Sequence, residues 1–226
     1  MSISVHKFGA NASVDAAEDI WSVGGDYPFP SAVATTTIVS DDAADAAAGT
    51  GAQTIKVYGH DANGIEVAQT ITLNGTTAVE LPTDISICYR IKVLRSGSNE
   101  TNVGNIQVKH GATVIGQVDE DKGQTLMAIY RVPSDKYAVL HGWYCTIGKN
   151  KTATVTIEML MRSPGGSWQV KEAISLGTAS SGGWAFTYPN PLVINPRVEI
   201  RIRAVDVSTT GVFVSAGFDL VLQPLG

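Results

Sequence analysis

The chain is poor in cysteine, in charge and in long apolar runs, and each shortage removes a class of protein. Two cysteines in 226 residues, Cys88 and Cys145, cannot frame a disulfide scaffold. Each lies inside an apolar run of strand period, which favours two buried free thiols over a disulfide or a metal site. Charged residues make up 16% against 44% hydrophobic, a balance that excludes a disordered chain beyond its ends. A net charge of -5 with a pI near 5.3 argues against sequence-independent nucleic-acid binding, which needs a basic face to displace counterions. Only a local stripe, Arg201 and Arg203 on one exposed strand face with Arg197 just before, stays open. No run approaches the ~18 apolar residues of a membrane span. The opening residues have no positive segment followed by an apolar core, so no secretory signal is expected and first folding is expected in a cytoplasm.

Alternation is what the sequence does have. Ala153, Val155, Ile157, Met159 and Met161 alternate with Thr152, Thr154, Thr156 and Glu158, the pattern of a strand with one buried and one wet face. Together with residues 124–132 and 137–147, and the turns at 133–136 and 148–151, this reads as a three-stranded meander. Residues 137–147 carry Leu140, Trp143 and Tyr144 on what count as both faces, so that strand is expected to need cover on both sides. Further on, 168–176, 184–188, 192–194, 198–204 and 212–222 complete seven or eight antiparallel strands, a number that suits a jelly roll. Upstream, runs at 53–59, 65–73, 77–81, 85–95 and 103–109 suit a small sandwich, with Asn63-Gly64 supplying the positive φ of a hairpin turn.

The expected organisation is all-β: an extended N-terminal arm (1–34), a small β-sandwich domain (35–110), a linker or crossover (111–123) and a jelly-roll-like β-sandwich domain (124–226). The stretch 41–52 reads as a loop. The arm holds Trp21, Tyr27 and Phe29, each worth ~150–250 Å² of burial, so it should pack on its own domain or on a neighbouring subunit. With Leu140, Trp143 and Tyr144 these form the candidate assembly interface.

Residues able to carry chemistry are scattered. His6, His60, His110 and His141 fall one to a segment, without the paired histidines and carboxylate of a metal-binding cupin; His141 reads as a hydrogen-bonded core or rim residue. No Gly-x-Ser-x-Gly elbow occurs, and Asp119, Glu120 and Asp121 adjoin in a stretch where a charge run is ordinarily solvated. No catalytic residue, metal ligand or cofactor is expected. Trp168, Trp184 and Tyr188 could form a platform for stacking sugar rings, with Tyr144 beside them, although a core or subunit contact is the plainer reading of such aromatics.

Two sets of segments resemble known proteins. VHKFGANASVDAAEDIWSVGGDYPFP with TLNGTTAVELP and SGSNETNVGNIQV, and TLMAIYRVPSDKYAVLHGWYCTIGKNKTATVTIEMLMRSPGGSWQVKEAISL with VSAGFDLVL, are similar to virion proteins of tailed bacteriophages, particularly those of marine and cyanobacterial hosts. The resemblance spans most of the chain. It implies a non-enzymatic head decoration (cement) protein that bridges capsid subunits, or otherwise a neck, tail or fibre component, with glycan adhesion through Trp168, Trp184 and Tyr188 as a further option. It also implies a homotrimer on the capsid surface, with the major capsid protein or other virion proteins as partners, and neither nucleic acid nor membrane.

Overall fold

The computed structural model describes residues 2–148, 152–178 and 182–225. The expected turn residues Lys149, Asn150 and Lys151 lie outside these, as do residues 179–181. Among the described residues the regular structure is entirely β, and the chain forms two compact units, 28–125 and a discontinuous one made of 1–27 and 126–226.

The discontinuous unit begins with β1 (Ile3–Val14) and β2 (Glu18–Asp19). The first part of the expected extended arm is therefore a strand of its own unit: β1 pairs antiparallel with the last strand of the chain from Ile3↔Leu222 to Val14↔Val212. Its inward positions after Val5 are Lys7, Gly9 and Asn11, all buried, which is why no apolar alternation marks it. Gly9 is required there, because a Cβ would run into the backbone of Ala128 and Ile20.

The 28–125 unit holds β3 (Thr36–Ser40), β4 (Ala52–His60), β5 (Glu66–Thr72), β6 (Val79–Glu80), β7 (Ile87–Ser96), β8 (Ile106–His110) and β9 (Thr113–Val118). They form two sheets, ordered β6-β3-β8-β9 and β5-β4-β7. Ile38, Ile55, Val57, Ile91, Ile106 and Val108 belong to one buried cluster. The Asn63-Gly64 turn forms as expected, with Gly64 at φ +79° and the Asp61 carboxylate accepting from the amides of Asn63 and Ile65. The stretch expected as a linker is instead half of a hairpin, since β9 pairs with β8 across a turn containing Gly111 at φ +56°. The loop over 41–51 is held by Asp45, whose buried carboxylate accepts from Ala52 N (2.7 Å), Val103 N (3.0 Å), Gly104 N (2.9 Å) and Ser40 Oγ (2.7 Å).

The chain then returns with β10 (Ile129–Arg131), β11 (Lys136–Gly148), β12 (Thr154–Arg162), β13 (Gln169–Gly177), β14 (Gly183–Ile194), β15 (Glu199–Val207) and β16 (Val212–Pro224). One sheet runs β1-β16-β11-β14; the other runs β10-β15-β12-β13, with β2 also on β15. The expected meander is absent, because β10, β11 and β12 alternate between the two sheets and none pairs with the next. Strand period reveals a face, not a partner.

Each sheet buries one face. Ile200, Ile202 and Ala204 on β15, and Val155, Ile157, Met159 and Met161 on β12, are buried as the alternation requires. On β11 the register steps from Leu140↔Leu220 to Gly142↔Asp219, leaving His141 as a bulge. The extra residue switches parity, so Ala138 and Leu140 before it and Trp143, Cys145 and Ile147 after it are all buried on one side. The strand that looked apolar on both faces has one apolar face. His141 is exposed, which rules out the core alternative of its expected core or rim position.

Candidate functional site

Two places in the discontinuous unit gather the side chains singled out above. The first is the outward face of the β15 sheet. Glu199, Arg201 and Arg203 fall on one side of β15, as their spacing requires, but they are not an exposed basic stripe. Glu199 is buried and binds both Arg131 of β10 and Arg162 of β12. Arg201 lies 3.2 Å and Arg203 3.5 Å from Asp19, a fully buried carboxylate on β2 that also accepts from Tyr27 N at 2.8 Å. Arg203 reaches Asp26 at 2.5 Å and donates to Ala17 O at 3.1 Å. Burial raises the Asp19 carboxyl above its ordinary value, with Arg201 the main opposing influence, and burial lowers the Arg201 guanidinium. Both directions express the cost of removing charge from water, which pairing offsets.

Trp168 belongs to this face. The Arg162 and Arg201 guanidinium groups lie over its ring, 4.4 and 4.1 Å from the centroid. Its π surface is engaged by cations within the chain.

The candidate interface residues are used internally. Trp21, Tyr27, Phe29, Leu140 and Trp143 are buried in this chain. Trp21 donates through Nε1 to Gly25 O (3.1 Å) and meets Tyr27 edge-on at 5.1 Å. Buried side chains of this kind offer no surface to a second subunit. Tyr144, half-buried on the outer face of β11, lies across Gly217, where a Cβ would strike its ring. Its hydroxyl is 3.3 Å from His6 Nε2, and His6 Nδ1 is 2.6 Å from Asp219. Burial, then the Asp219 carboxylate, raises the Tyr144 phenol, so it stays protonated in this row.

The second place is the edge where β13 and β14 end their sheets. Trp184, Phe186 and Tyr188 form a ladder on β14: Trp184 and Phe186 stack at 5.8 Å and 4°, and Phe186 meets Tyr188 edge-on at 5.0 Å. The pairings Cys145↔Trp184 and Trp143↔Phe186 put the first two rings on the inward side, where Trp143 and Trp184 meet at 4.7 Å. The ladder thus continues the core out to the edge. The structure keeps Trp184 and Tyr188 together, separates Trp168 from them and adds Phe186, whose i+2 spacing from Trp184 was the available signal. The Tyr188 hydroxyl lies 3.4 Å from Glu172 on β13, and burial followed by Glu172 pushes it up to about 12.

Both edge strands are irregular here. On β14 the register jumps from Leu140↔Leu192 to Gly142↔Thr187, so Tyr188, Pro189, Asn190 and Pro191 swing out opposite His141. On β13 it steps from Met159↔Glu172 to Leu160↔Val170, leaving Lys171 as a bulge. Bulges re-aim side chains and bend the strand. Between the irregular segments opens a cleft of about 230 Å³, floored by Met161, Leu192, Ile194 and Val198 and rimmed by Gln169 and Lys171. Lys171 donates to the Gln169 side chain at 2.9 Å. Large apolar side chains of the two edge strands stand in water: of the cleft's lining Val193 is 61% exposed and Leu192 36%, and elsewhere on the strands Val170 is 51% and Phe186 36% exposed.

No family model matches the chain, and no curated protein sequence does. Among solved structures, infectious bursal disease virus of the Gx strain is similar at 9% identity and TM-score 0.31, over 100% of this chain and 72% of that one. The T13 particle of the same virus gives 9% identity and TM-score 0.29 over 98% and 69%, and its VP2 subviral particle 8% and 0.27 over 99% and 72%. Likenesses this shallow decide neither fold nor function.

Proposed function

We propose that the chain is a non-enzymatic structural protein of a virus particle and that its discontinuous unit is a jelly roll. The observation that carries this reading is the strand order. Counting β1 and β10 to β16 as one to eight, the sheets run 1-8-3-6 and 2-7-4-5. First pairs with eighth, second with seventh, third with sixth and fourth with fifth, the result of wrapping one long antiparallel hairpin into two sheets. Jelly rolls built this way serve in viral capsids and in lectins, so the fold narrows the role without choosing it. The resemblance to tailed-phage virion proteins favours the capsid side, with head decoration as the specific role and a neck, tail or fibre position as the alternative. On this reading the partners are further copies of the chain and neighbouring shell proteins, on the capsid surface. The smaller 28–125 unit, with its two sheets and single core cluster, is proposed as a second sandwich.

Cementing would act by burying apolar surface between shell subunits. Roughly 25 cal/mol per Å² makes a modest footprint effective when it is repeated over a shell. The test is to label the protein with antibody on purified virions and image them. Many copies distributed over the head are expected. Label confined to one vertex or to the tail would overturn the decoration role, and absence from virions would overturn the reading as a whole.

A further inference from the structure

We infer that the open β13/β14 edge is the surface through which this chain binds a second copy of itself. The inference deepens the structural-protein reading and rests on it for its biological setting, but its physical grounds are independent.

Natural sheet edges are ordinarily blunted by charge, by proline or by a covering element. Here β14 runs twelve residues, GWAFTYPNPLVI, without one charged side chain, and much of it is exposed. It instead uses Pro189 and Pro191, with the four-residue excursion around them, which remove ladder donors and prevent another strand from adding in register. The edge is closed to strand addition and open to side-chain packing. What it offers is Phe186 and Leu192 from β14 on the side that faces the other sheet, and Val193 from β14 and Val170 from β13 on the outward sides, beside a cleft with an apolar floor and a polar rim.

Charge selects the occupant. The chain carries a net -5, so two copies repel unless they meet on a neutral face. Along β13 and β14 the only charged residues are Lys171 and Glu172, which cancel, and Arg162 in the cleft lining is paired with Glu199. The strip also combines projecting valines with a cavity of about 230 Å³, large enough to receive such side chains, so it can complement itself across a two-fold or in a closed ring. Its size is adequate. Nine and twelve residues at ~3.3 Å each make a strip ~30 Å long, and two edges ~10 Å apart with their side chains make it ~20 Å wide, or about 600 Å² per copy. That is the lower end of a stable interface.

The experiment is sedimentation velocity with light scattering on the full chain, wild type beside Val193→Glu and Phe186→Lys, with Ser4→Glu on the opposite edge of the same sheet as control. Val193 and Ser4 are exposed and stand outside the core, so circular dichroism and thermal melts of those two variants should match the wild type; Phe186 also stacks on Trp184, so its variant is compared at temperatures where its melt shows it folded. A reversible oligomer is expected for wild type and Ser4→Glu, with self-association weakened at least about thirtyfold in the two edge variants, the effect of losing a central anchor. A wild type that stays monomeric at about 100 μM, far above useful affinity, overturns the inference, as does an oligomer indifferent to both edge substitutions. Sugar-dependent binding by a monomer, abolished by Phe186→Lys, would assign the edge to a glycan and overturn it too. Monomer in solution with protein present on virions sinks this inference and leaves the virion reading standing; an edge-dependent oligomer absent from virions does the reverse.

Discussion

Replacing Asp45 should be among the most damaging single changes in the 28–125 unit. Its carboxylate is fully buried and satisfies three backbone N–H groups, from Ala52, Val103 and Gly104, together with the Ser40 hydroxyl. Asp45→Ala strands those three amides in the interior. Each unsatisfied buried donor costs ~1–3 kcal/mol, so the loss lies between about 3 and 9 kcal/mol. Gly51 lets Asp45 Oδ1 pack this closely, since a Cβ there would collide with it, and water entering the space that the carboxylate vacates would bring the loss toward the lower end of that range. Asp45→Asn keeps the shape but turns one oxygen into a donor. Its best orientation faces Ser40, whose hydroxyl can reverse, and leaves Gly104 N–H against another N–H, costing about 2–3 kcal/mol. Ser40→Ala removes one bond and costs about 1 kcal/mol. The expected order is therefore Ser40→Ala, then Asp45→Asn, then Asp45→Ala, read by denaturant unfolding. Hydrogen exchange supplies a local readout: the amides of Ala52, Val103 and Gly104 should lose protection first. Asp45→Ala no more destabilising than Ser40→Ala, with those amides still protected, would refute the reasoning.

Two further outcomes follow from buried ionisable groups. Burial pushes the Cys145 thiol up to about 12 from 9.0, so the folded state holds a proton that the unfolded state releases. That contribution to stability is complete below pH 9 and disappears as pH rises toward 12, with the raised Tyr188 acting in the same direction; Cys145→Ala should flatten the alkaline decline in melting temperature, and neither thiol should react with a disulfide reagent until the protein unfolds. Glu199→Ala leaves Arg131 and Arg162 without their shared carboxylate and should cost about 3–5 kcal/mol by calorimetry, whereas replacing all three residues with apolar ones of similar volume should cost less, because the desolvation of the charges goes with them.

Alternation proved legible where inward positions are all apolar. Ile200, Ile202 and Ala204 on β15 and Val212, Val214, Ala216, Phe218, Leu220 and Leu222 on β16 declare their buried face in the sequence, and the structure buries them. It was hidden where that rule breaks. Lys7, Gly9 and Asn11 occupy inward positions of β1, so an edge strand of the sheet reads as a glycine-containing arm. At β11 one bulged residue, His141, makes a single-faced strand look two-faced. The β8–β9 hairpin was masked by the acidic run after it and the glycines around it. Of the candidate edge, Trp184 and Tyr188 could be read from composition. The cleft could not, because it depends on which strands end the two sheets, and strand period carries no information about partners.

The discontinuous unit treats its outer face and its edge by opposite physical means. Over the β15 sheet it gathers four arginines and neutralises them with Glu199, Asp19 and Asp26, two of these supplied by the segment that follows β1. The buried ones among those charges give little net stability against apolar replacements. Their effect is directional, since a guanidinium held by two carboxylates fixes how residues 18–26 lie on the sheet. At the β13/β14 edge there is no cover and no net charge, and two prolines prevent the indiscriminate pairing that a bare edge invites. A surface guarded against strand addition yet left apolar is what a specific side-chain contact requires. Covering it with a lysine or glutamate at Val193 would cost the fold little, and its absence of charge is therefore better explained by a partner than by folding.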